Sequence, residues 1–264
     1  MNIQQQHSVL KTEKLSIGYK SKKEAIVVSN DINIELRKGE LIGLVGANGI
    51  GKSTLLRTLS AIQKPLSGSI ECHGKLIHKH SPIELAKIMS LVLTEQIISK
   101  NLSVFELVAL GRQPYTNWIG TLSENDYTAV ERALEQTHLT DLKSRRCFEL
   151  SDGQLQKVMI ARALTQDTDL IILDEPTTHL DMYHKAYILK LLQQLAKDTQ
   201  KTILFSSHEI DLAIQLCDKM IVMTKDTVVS DAPCKLIEQG VFETLFPKDL
   251  IGFDNKTGRF KVKK

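Results

Sequence analysis

A run of glycines followed by a lysine and a serine stands directly after an apolar stretch. Residues Gly46 to Ser53 read GANGIGKS and fit G-x-x-x-x-G-K-[ST] at every required position. Glycines let a backbone curl so that successive N–H groups point at one anion, and a helix beginning near Lys52 directs its positive dipole end there. We expect Lys52 to reach the β- and γ-phosphates of a nucleotide and the Ser53 hydroxyl to bind Mg²⁺. Because Asn48 stands where a glycine is required, the dinucleotide pattern G-x-G-x-x-G is not met.

Two carboxylates follow a second apolar run, LIIL at residues 170–173. A buried parallel strand delivers polar side chains at its carboxyl end, where α/β sheets bind ligands. We expect Asp174 to hold Mg²⁺, directly or through water, and Glu175 to polarise a water that attacks the γ-phosphate. His208 follows the apolar run TILFSS. Its position alone leaves two interpretations open, a structural histidine or a contact to the γ-phosphate.

The elements that must position these residues alternate along the chain. Short apolar runs predict buried strands at residues 41–45, 170–173, 202–205 and 219–223, and apolar spacing of three and four predicts helices at 53–59 and 209–217. Such alternation indicates an α/β fold with a mostly parallel sheet covered by helices.

Two regions depart from this alternation. Alternating apolar residues at 10–17 and 31–36 predict a small antiparallel sheet near the start of the chain. Residues 97–165 carry mostly helical patterns, including a helix at 104–110 and a capping box formed by Ser123 and Asp126. We therefore predict one domain over residues 1–264. Its α/β core with the antiparallel subdomain would comprise 1–96 and 166–264, and an inserted helical subdomain would comprise 97–165.

Composition excludes several functional classes. The net charge of +3 is too small to argue for nucleic acid as a partner, and we expect none. No apolar run approaches the roughly 18 residues of a membrane span, and the first residues lack the apolar stretch of a secretory signal. We expect a cytoplasmic protein with buried, free cysteines. The cysteines are scattered without metal-binding spacing, at positions 72, 147, 217 and 234.

Further motifs make the chain resemble the ATP-binding cassette (ABC) ATPases, the motor subunits of ABC transporters. Residues 150–154 read LSDGQ and are similar to the family signature LSGGQ. Gln96 matches the glutamine of the Q-loop, Tyr19 the aromatic residue that stacks on adenine, Asp181 the D-loop, and His208 the switch histidine. The resemblance covers residues 8–230 and implies a P-loop NTPase (RecA-like) core.

The resemblance also implies how the site is completed. Two cassettes would pack head to tail, so that Ser151, Gly153 and Gln154 of one grip the γ-phosphate held by the other. Mg²⁺ would be bound by Ser53, Gln96 and Asp174. The nucleotide contacts expected from the family are Tyr19, Gly46, Ala47, Asn48, Gly49, Ile50, Gly51, Lys52, Ser53, Thr54, Gln96, Ser151, Gly153, Gln154 and Asp181. Asp152 departs from the usual glycine; we expect it to suit the helix dipole and to be able to cap the helix, and activity to survive.

The stretch at 103–118 reads SVFELVALGRQPYTNW. It is similar to the corresponding stretch in the ATPases of importers for iron–siderophore complexes, haem and cobalamin. That resemblance implies an integral-membrane permease, a separate substrate-binding protein, and a peripheral position on the cytoplasmic face of the inner membrane. A simpler interpretation of the same stretch is a helix end, with Gly111 as its cap and Pro114 as its stop. The alternatives that remain are an exporter motor, a soluble ABC ATPase of DNA repair or translation, a regulatory nucleotide-binding module and a metabolic kinase.

At the end of the chain, we expect a short strand and turn at 228–233, part of a helix at 245–251, and a basic tail or edge strand at 259–264.

Overall fold

The computed structural model describes residues 8–20, 24–93, 101–246, 249–255 and 257–262. Its strands are β1 Ser8–Lys20, β2 Ala25–Ile32, β3 Glu35–Arg37, β4 Leu41–Gly46, β5 Ser67–Cys72, β6 Lys75–Leu76, β7 Met89–Val92, β8 Leu170–Leu173, β9 Thr202–Ser207, β10 Lys219–Met223, β11 Val228–Asp231, β12 Ile251–Asp254 and β13 Arg259–Val262. Its α-helices are α1 Lys52–Leu59, α2 Pro82–Ile88, α3 Val104–Ala109, α4 Glu124–Gln136, α5 Asp152–Thr165, α6 Met182–Thr199, α7 Ile210–Leu216 and α8 Pro233–Glu238. Short 3₁₀ helices cover Ile77–Lys79, Leu110–Tyr115, Thr140–Leu142, Cys147–Glu149 and Val241–Thr244.

The described strands form a mostly parallel sheet beside a smaller antiparallel one. The first has the order β11-β10-β4-β9-β8-β7, and its pairs are parallel except that between β10 and β11. The second has the order β2-β1-β5-β6, with β3 also paired to β1. The predicted α/β fold with an antiparallel sheet at the front is therefore confirmed.

The strand predicted at 31–36 is wrong as a single element. The structure divides it between β2 and β3, which both pair with β1. Asp31 has a left-handed φ of +50°, and the amide of Asn33 donates to the backbone and the carboxylate of Asp31. Asx hydrogen bonds of this kind compete with a sheet ladder. The apolar alternation continues through the break because Ile32, Ile34 and Leu36 all enter the same core.

Buried apolar residues lie on both faces of the parallel sheet. In β4, Leu41 and Val45 contact the core under α5 and α6, whereas Ile42 and Leu44 contact the core shared with the antiparallel sheet. A strand covered on both faces has no solvent side, so its sequence is continuously apolar. This explains why the apolar runs located β4 and β8 correctly.

Helices dominate the described part of 101–165. The predicted capping box is confirmed, because the side chain of Ser123 accepts from Asp126 N and that of Asp126 accepts from Ser123 N. Gly111 is not a helix cap: α3 continues into the 3₁₀ helix Leu110–Tyr115, which contains Pro114. A Cβ at Gly111 would lie 2.3 Å from the carbonyl oxygen of Arg162 in α5. Glycine is required there because two backbones touch. The subdomain boundaries at 97 and 165 remain a prediction.

Two expectations near the end of the chain need correction, the helix at 245–251 and the burial of Cys234. Among the described residues of 245–251 none is helical; the helix is α8, which lies earlier, and a 3₁₀ turn covers Val241–Thr244. The strand at 228–231 is confirmed, and the basic end pairs with β12 as β13. Cys234 is exposed, whereas the other cysteines are buried, and all are free.

Over the ranges that the structure describes, no helix is long and apolar enough to cross a membrane.

Candidate functional site

The loop between β4 and α1 has the backbone that an anion cradle requires. Gly51 takes a left-handed φ of +113° at the N-cap of α1, and a Cβ there would lie 2.3 Å from Val28 Cγ1. A Cβ at Gly46 would lie 2.5 Å from the carbonyl oxygen of Met223. Only glycine fits both positions. Among the described residues, no side-chain cap hydrogen bond occupies the start of α1, so its first N–H groups are available to an anion in the loop.

Lys52 lies buried in this loop. Its ammonium donates to the carbonyl oxygens of Gly46 at 3.0 Å and Ala47 at 3.3 Å. Burial lowers the pKa of Lys52, and the carboxylates of Glu175 and Asp174 partly oppose that shift. An ammonium has three protons, so one proton is left for an anion. An anion bound in the loop would stabilise the charge that burial disfavours.

Asp174 is the centre of a small oxygen-rich cluster. The Ser53 hydroxyl donates to Asp174 Oδ1 at 3.2 Å, and the buried Ser206 hydroxyl donates to the same oxygen at 2.7 Å. The backbone N–H of Glu175 donates to the Ser206 oxygen at 2.8 Å. A hydroxyl and a carboxylate beside a phosphate loop supply the oxygen ligands that Mg²⁺ prefers in nucleotide sites. The residues present therefore fit Mg²⁺.

Glu175 and His208 meet at the carboxyl ends of two neighbouring strands. His208 Nε2 lies 2.6 Å from Glu175 Oε1, and the Thr178 hydroxyl donates to the other carboxylate oxygen at 3.1 Å. Glu175 has a left-handed φ of +50°, which non-glycine residues seldom adopt. Strain of this kind collects at functional sites.

Lys52, Ser53, Glu175 and His208 line one cleft of about 370 Å³, whereas Asp174 is not among its lining residues. Tyr19 lies at its side, 52% exposed, and its hydroxyl lies 2.9 Å from Thr54 Oγ1. The cleft thus joins an accessible aromatic residue to the phosphate loop and to the carboxylate–imidazole pair. Its lining residues are Tyr19, Asn48, Gly49, Gly51, Lys52, Ser53, Thr54, Glu175 and His208.

The signature stretch is not among the described residues that line this cleft. Ser151 caps α5: its side chain accepts from Gln154 N, and Gln154 Oε1 accepts from Ser151 N. The cap is therefore Ser151, and Asp152 is the first helical residue. A Cβ at Gly153 would lie 3.0 Å from the ring of His184 in α6.

Asp181, the residue predicted for the D-loop, caps α6 outside the cleft. Its carboxylate accepts from His184 N at 2.9 Å and contacts the His184 ring at 2.9 Å. The backbone and side-chain hydrogen bonds from His184 hold the pKa of Asp181 below its ordinary value. Gln96 lies outside the described residues.

Sequence reasoning missed two residues that hold the site together, Ser206 and Thr178. Ser206 lies at the carboxyl end of β9, which pairs in parallel with β8 immediately before Asp174. A hydroxyl at that end of a neighbouring strand was the available signal. Thr178 lies three residues after Glu175, where a turn brings its hydroxyl back to the carboxylate.

Comparison with known proteins gives one consistent result. The family profile described as ABC transporter matches residues 29–178. The iron(3+)-hydroxamate import ATP-binding protein FhuC of Bacillus subtilis is 40% identical over 222 residues, which are 84% of this chain and 81% of that protein.

Solved structures agree with these sequence matches. A metal-chelate type ABC transporter in an inward-facing conformation superposes with a TM-score of 0.78 at 27% identity, covering 97% of this chain and 96% of that one. A dimeric bacterial ABC transporter cassette superposes with a TM-score of 0.71 at 25% identity, covering 85% and 98%. The chain therefore belongs to the ABC transporter family, as an ATP-binding cassette whose ATPase activity is coupled to transport.

Proposed function

We propose that this chain is the ATP-hydrolysing motor of an ABC importer that takes up an iron chelate (a siderophore complex or haem) or cobalamin through a separate permease. The observation that carries the hydrolytic part is the 2.6 Å contact between Glu175 and His208 beside the phosphate loop. The importer part is supported by the name of the Bacillus subtilis relative, which is 40% identical.

In this proposal each residue of the cleft has one task. The loop N–H groups and Lys52 bind the β- and γ-phosphates, and Tyr19 stacks on the adenine. Glu175 accepts a proton from the attacking water, and His208 orients Glu175 and contacts the γ-phosphate. Ser53 and Asp174, with Gln96, would hold Mg²⁺, which neutralises phosphate charge when bound.

A second copy of the chain would complete the site. Ser151, Gly153 and Gln154 open a long helix but do not line the cleft of their own chain among the described residues. In a head-to-tail dimer they would bind the γ-phosphate of the partner, with Asp181 at the interface between the copies. The dimeric cassette that this chain superposes on supports such an assembly. The helical subdomain over 97–165 would carry the signature as one unit.

The remaining partners follow from the importer assignment. An integral-membrane permease would bind the cassette, and a separate substrate-binding protein would deliver the cargo. The cassette would lie on the cytoplasmic face of the inner membrane as a peripheral subunit. A net charge of +3 is too small to argue for nucleic acid as a further partner.

The test is affinity purification from native membranes with tagged Glu175→Gln chain and ATP. This variant keeps the phosphate contacts and loses the base, so it should accumulate the closed dimer and retain the permease. Lys52→Ala, which loses phosphate contacts, is the matched control. Recovery of a many-helix permease of the iron-chelate or cobalamin type, identified by mass, is the expected result. A permease of another class would refute the importer assignment, and soluble partners alone would refute the transport role.

A further inference from the structure

The first turn of α6 faces the residue that follows His208. Lys185 Nζ donates to Glu209 Oε1 at 2.5 Å, and both side chains are partly buried, with 25% and 29% of their surface exposed. Lys185 is one turn after Asp181, whose carbonyl accepts its N–H at 2.9 Å. The ion pair therefore joins the start of α6 to the turn between β9 and α7.

That turn is held at several points on its backbone. Glu209 N donates to Ser207 Oγ at 2.9 Å, and Ile210 N donates to the carbonyl oxygen of His208 at 3.1 Å. The carbonyl oxygen of Glu209 accepts from Ala213 N at 3.0 Å, which begins α7. Each of these bonds lies within a few residues along the chain. In contrast, the bond to Lys185 is a link across 24 residues, and it fixes the residue beside His208 relative to α6.

The charge of Glu209 gives the pair a second consequence. His208 already contacts one carboxylate, Glu175, which faces the phosphate cleft. A second, unpaired carboxylate on the next residue would compete for the imidazole and would repel a γ-phosphate. Lys185 neutralises that carboxylate and directs it toward α6.

We propose that Lys185 and Glu209 are positioning residues for ATP hydrolysis, holding His208 in its contact with Glu175. This inference rests on the proposed roles of Glu175 and His208. Neither residue of the pair is among those that line the phosphate cleft within the described residues. Both act through the imidazole, so their loss should reduce turnover and leave nucleotide binding intact.

The test measures kcat and KM for Mg-ATP with the full chain and four variants of the pair. Lys185→Glu and Glu209→Lys each create a like-charge pair and should lower kcat about tenfold or more, because displaced catalytic groups lose rate steeply. KM should stay within about twofold, since the loop N–H groups and Lys52 still bind the phosphates. The exchanged double variant Lys185→Glu/Glu209→Lys restores the attraction and should recover kcat to within about threefold. Lys185→Arg should behave like the parent.

A second ion pair supplies the matched control. Lys143 and Glu131 lie 2.9 Å apart in the helical part, away from the cleft, and each is about half exposed. Lys143→Glu makes the same charge change and should leave kcat unchanged. Melting temperatures of all variants report folding separately from turnover.

Three outcomes would overturn the proposal. Single variants with parental kcat would refute it, as would a double variant that recovers nothing, or a loss of kcat that only follows the loss of melting temperature. Failure of the proposed function has a different signature. If the parent chain does not hydrolyse ATP, or if Glu175→Gln hydrolyses it at the parental rate, the catalytic assignment and this inference both fall.

Discussion

Ser206 offers the sharpest test of how the two carboxylates proposed for Mg²⁺ binding and hydrolysis are held. Its buried hydroxyl donates to Asp174 Oδ1 at 2.7 Å and accepts from Glu175 N at 2.8 Å. One side chain thus fixes two consecutive residues with separate proposed tasks. Ser206→Ala removes both bonds and leaves no other large change in shape.

The expected loss of stability follows from these two bonds. A hydrogen bond to a charged group contributes about 1.5–3 kcal/mol, and one between neutral groups contributes about 0.5–1.5 kcal/mol. Ser206→Ala should therefore lower the free energy of unfolding by about 2–4 kcal/mol. Turnover should fall about tenfold or more, because the backbone of Glu175 loses its anchor and small displacements reduce rates steeply.

Urea unfolding measures the first effect, and ATPase turnover at saturating Mg-ATP measures the second. Thr137→Val is the matched control: that hydroxyl is also fully buried, yet it donates only to carbonyl oxygens of its own helix, the nearer being Ala133 at 2.8 Å. Its loss should cost about 1 kcal/mol and leave kcat unchanged. A Ser206→Ala chain that loses no more stability than this control, with parental turnover, would refute the reasoning.

Four further predictions concern the helical part. Arg112→Met should lower the free energy of unfolding by about 3–5 kcal/mol, because it leaves the buried carboxylate of Asp126 without its 2.7 Å partner. The double variant Arg112→Met/Asp126→Asn should be less destabilised, because no unpaired charge is left. Equal losses of the single and the double variant in urea unfolding would contradict this. Burial alone would raise the pKa of Asp126, but hydrogen bonds from its capping serine and the Arg112 guanidinium outweigh burial and lower it. Its contribution to stability is therefore complete above the ordinary aspartate pKa and disappears as pH falls through the lowered folded value, which pH-dependent melting would detect. Gly111→Ala should cost about 1–3 kcal/mol in urea unfolding, since its methyl group meets backbone of α5, and a neutral result would exclude that contact. Asp152→Gly should keep or raise ATPase activity, since Ser151 remains the helix cap; an inactive variant would show that Asp152 is needed.

The local chemistry of the site could be predicted from the sequence because it depends on contiguous residues. The phosphate loop needs its own glycines, Lys52 and the strand before it, and all of these lie within one short segment. The break between β2 and β3 was missed for a different reason. Ile32 and Leu36 both enter the core that the antiparallel sheet covers, so apolar and polar residues alternate through the break. The alternation therefore gave no sign that β2 and β3 pair with different parts of β1.

Contacts across strands were beyond sequence reasoning. Ser206 reaches Asp174 only because β9 and β8 pair in a register that places Leu173 opposite Phe205. A shift by one residue would turn the Ser206 side chain to the other face of the sheet. Gly111 resembled a helix end, but its real constraint is the backbone of α5, which lies about fifty positions later in the chain.

In this cassette the motif residues and the residues that hold them in place have different proposed roles, the former in the reaction itself and the latter in its rate. The motif residues Glu175 and His208 are the ones that the proposed hydrolysis uses. In this chain Glu175 is held from one side by Ser206, and the residue after His208 is held from the other by Lys185. Neither support belongs to a motif, and both come from elements that meet only in the folded molecule. We therefore expect substitutions at these supports to change kcat more than nucleotide affinity, whereas substitutions in the phosphate loop should change affinity first.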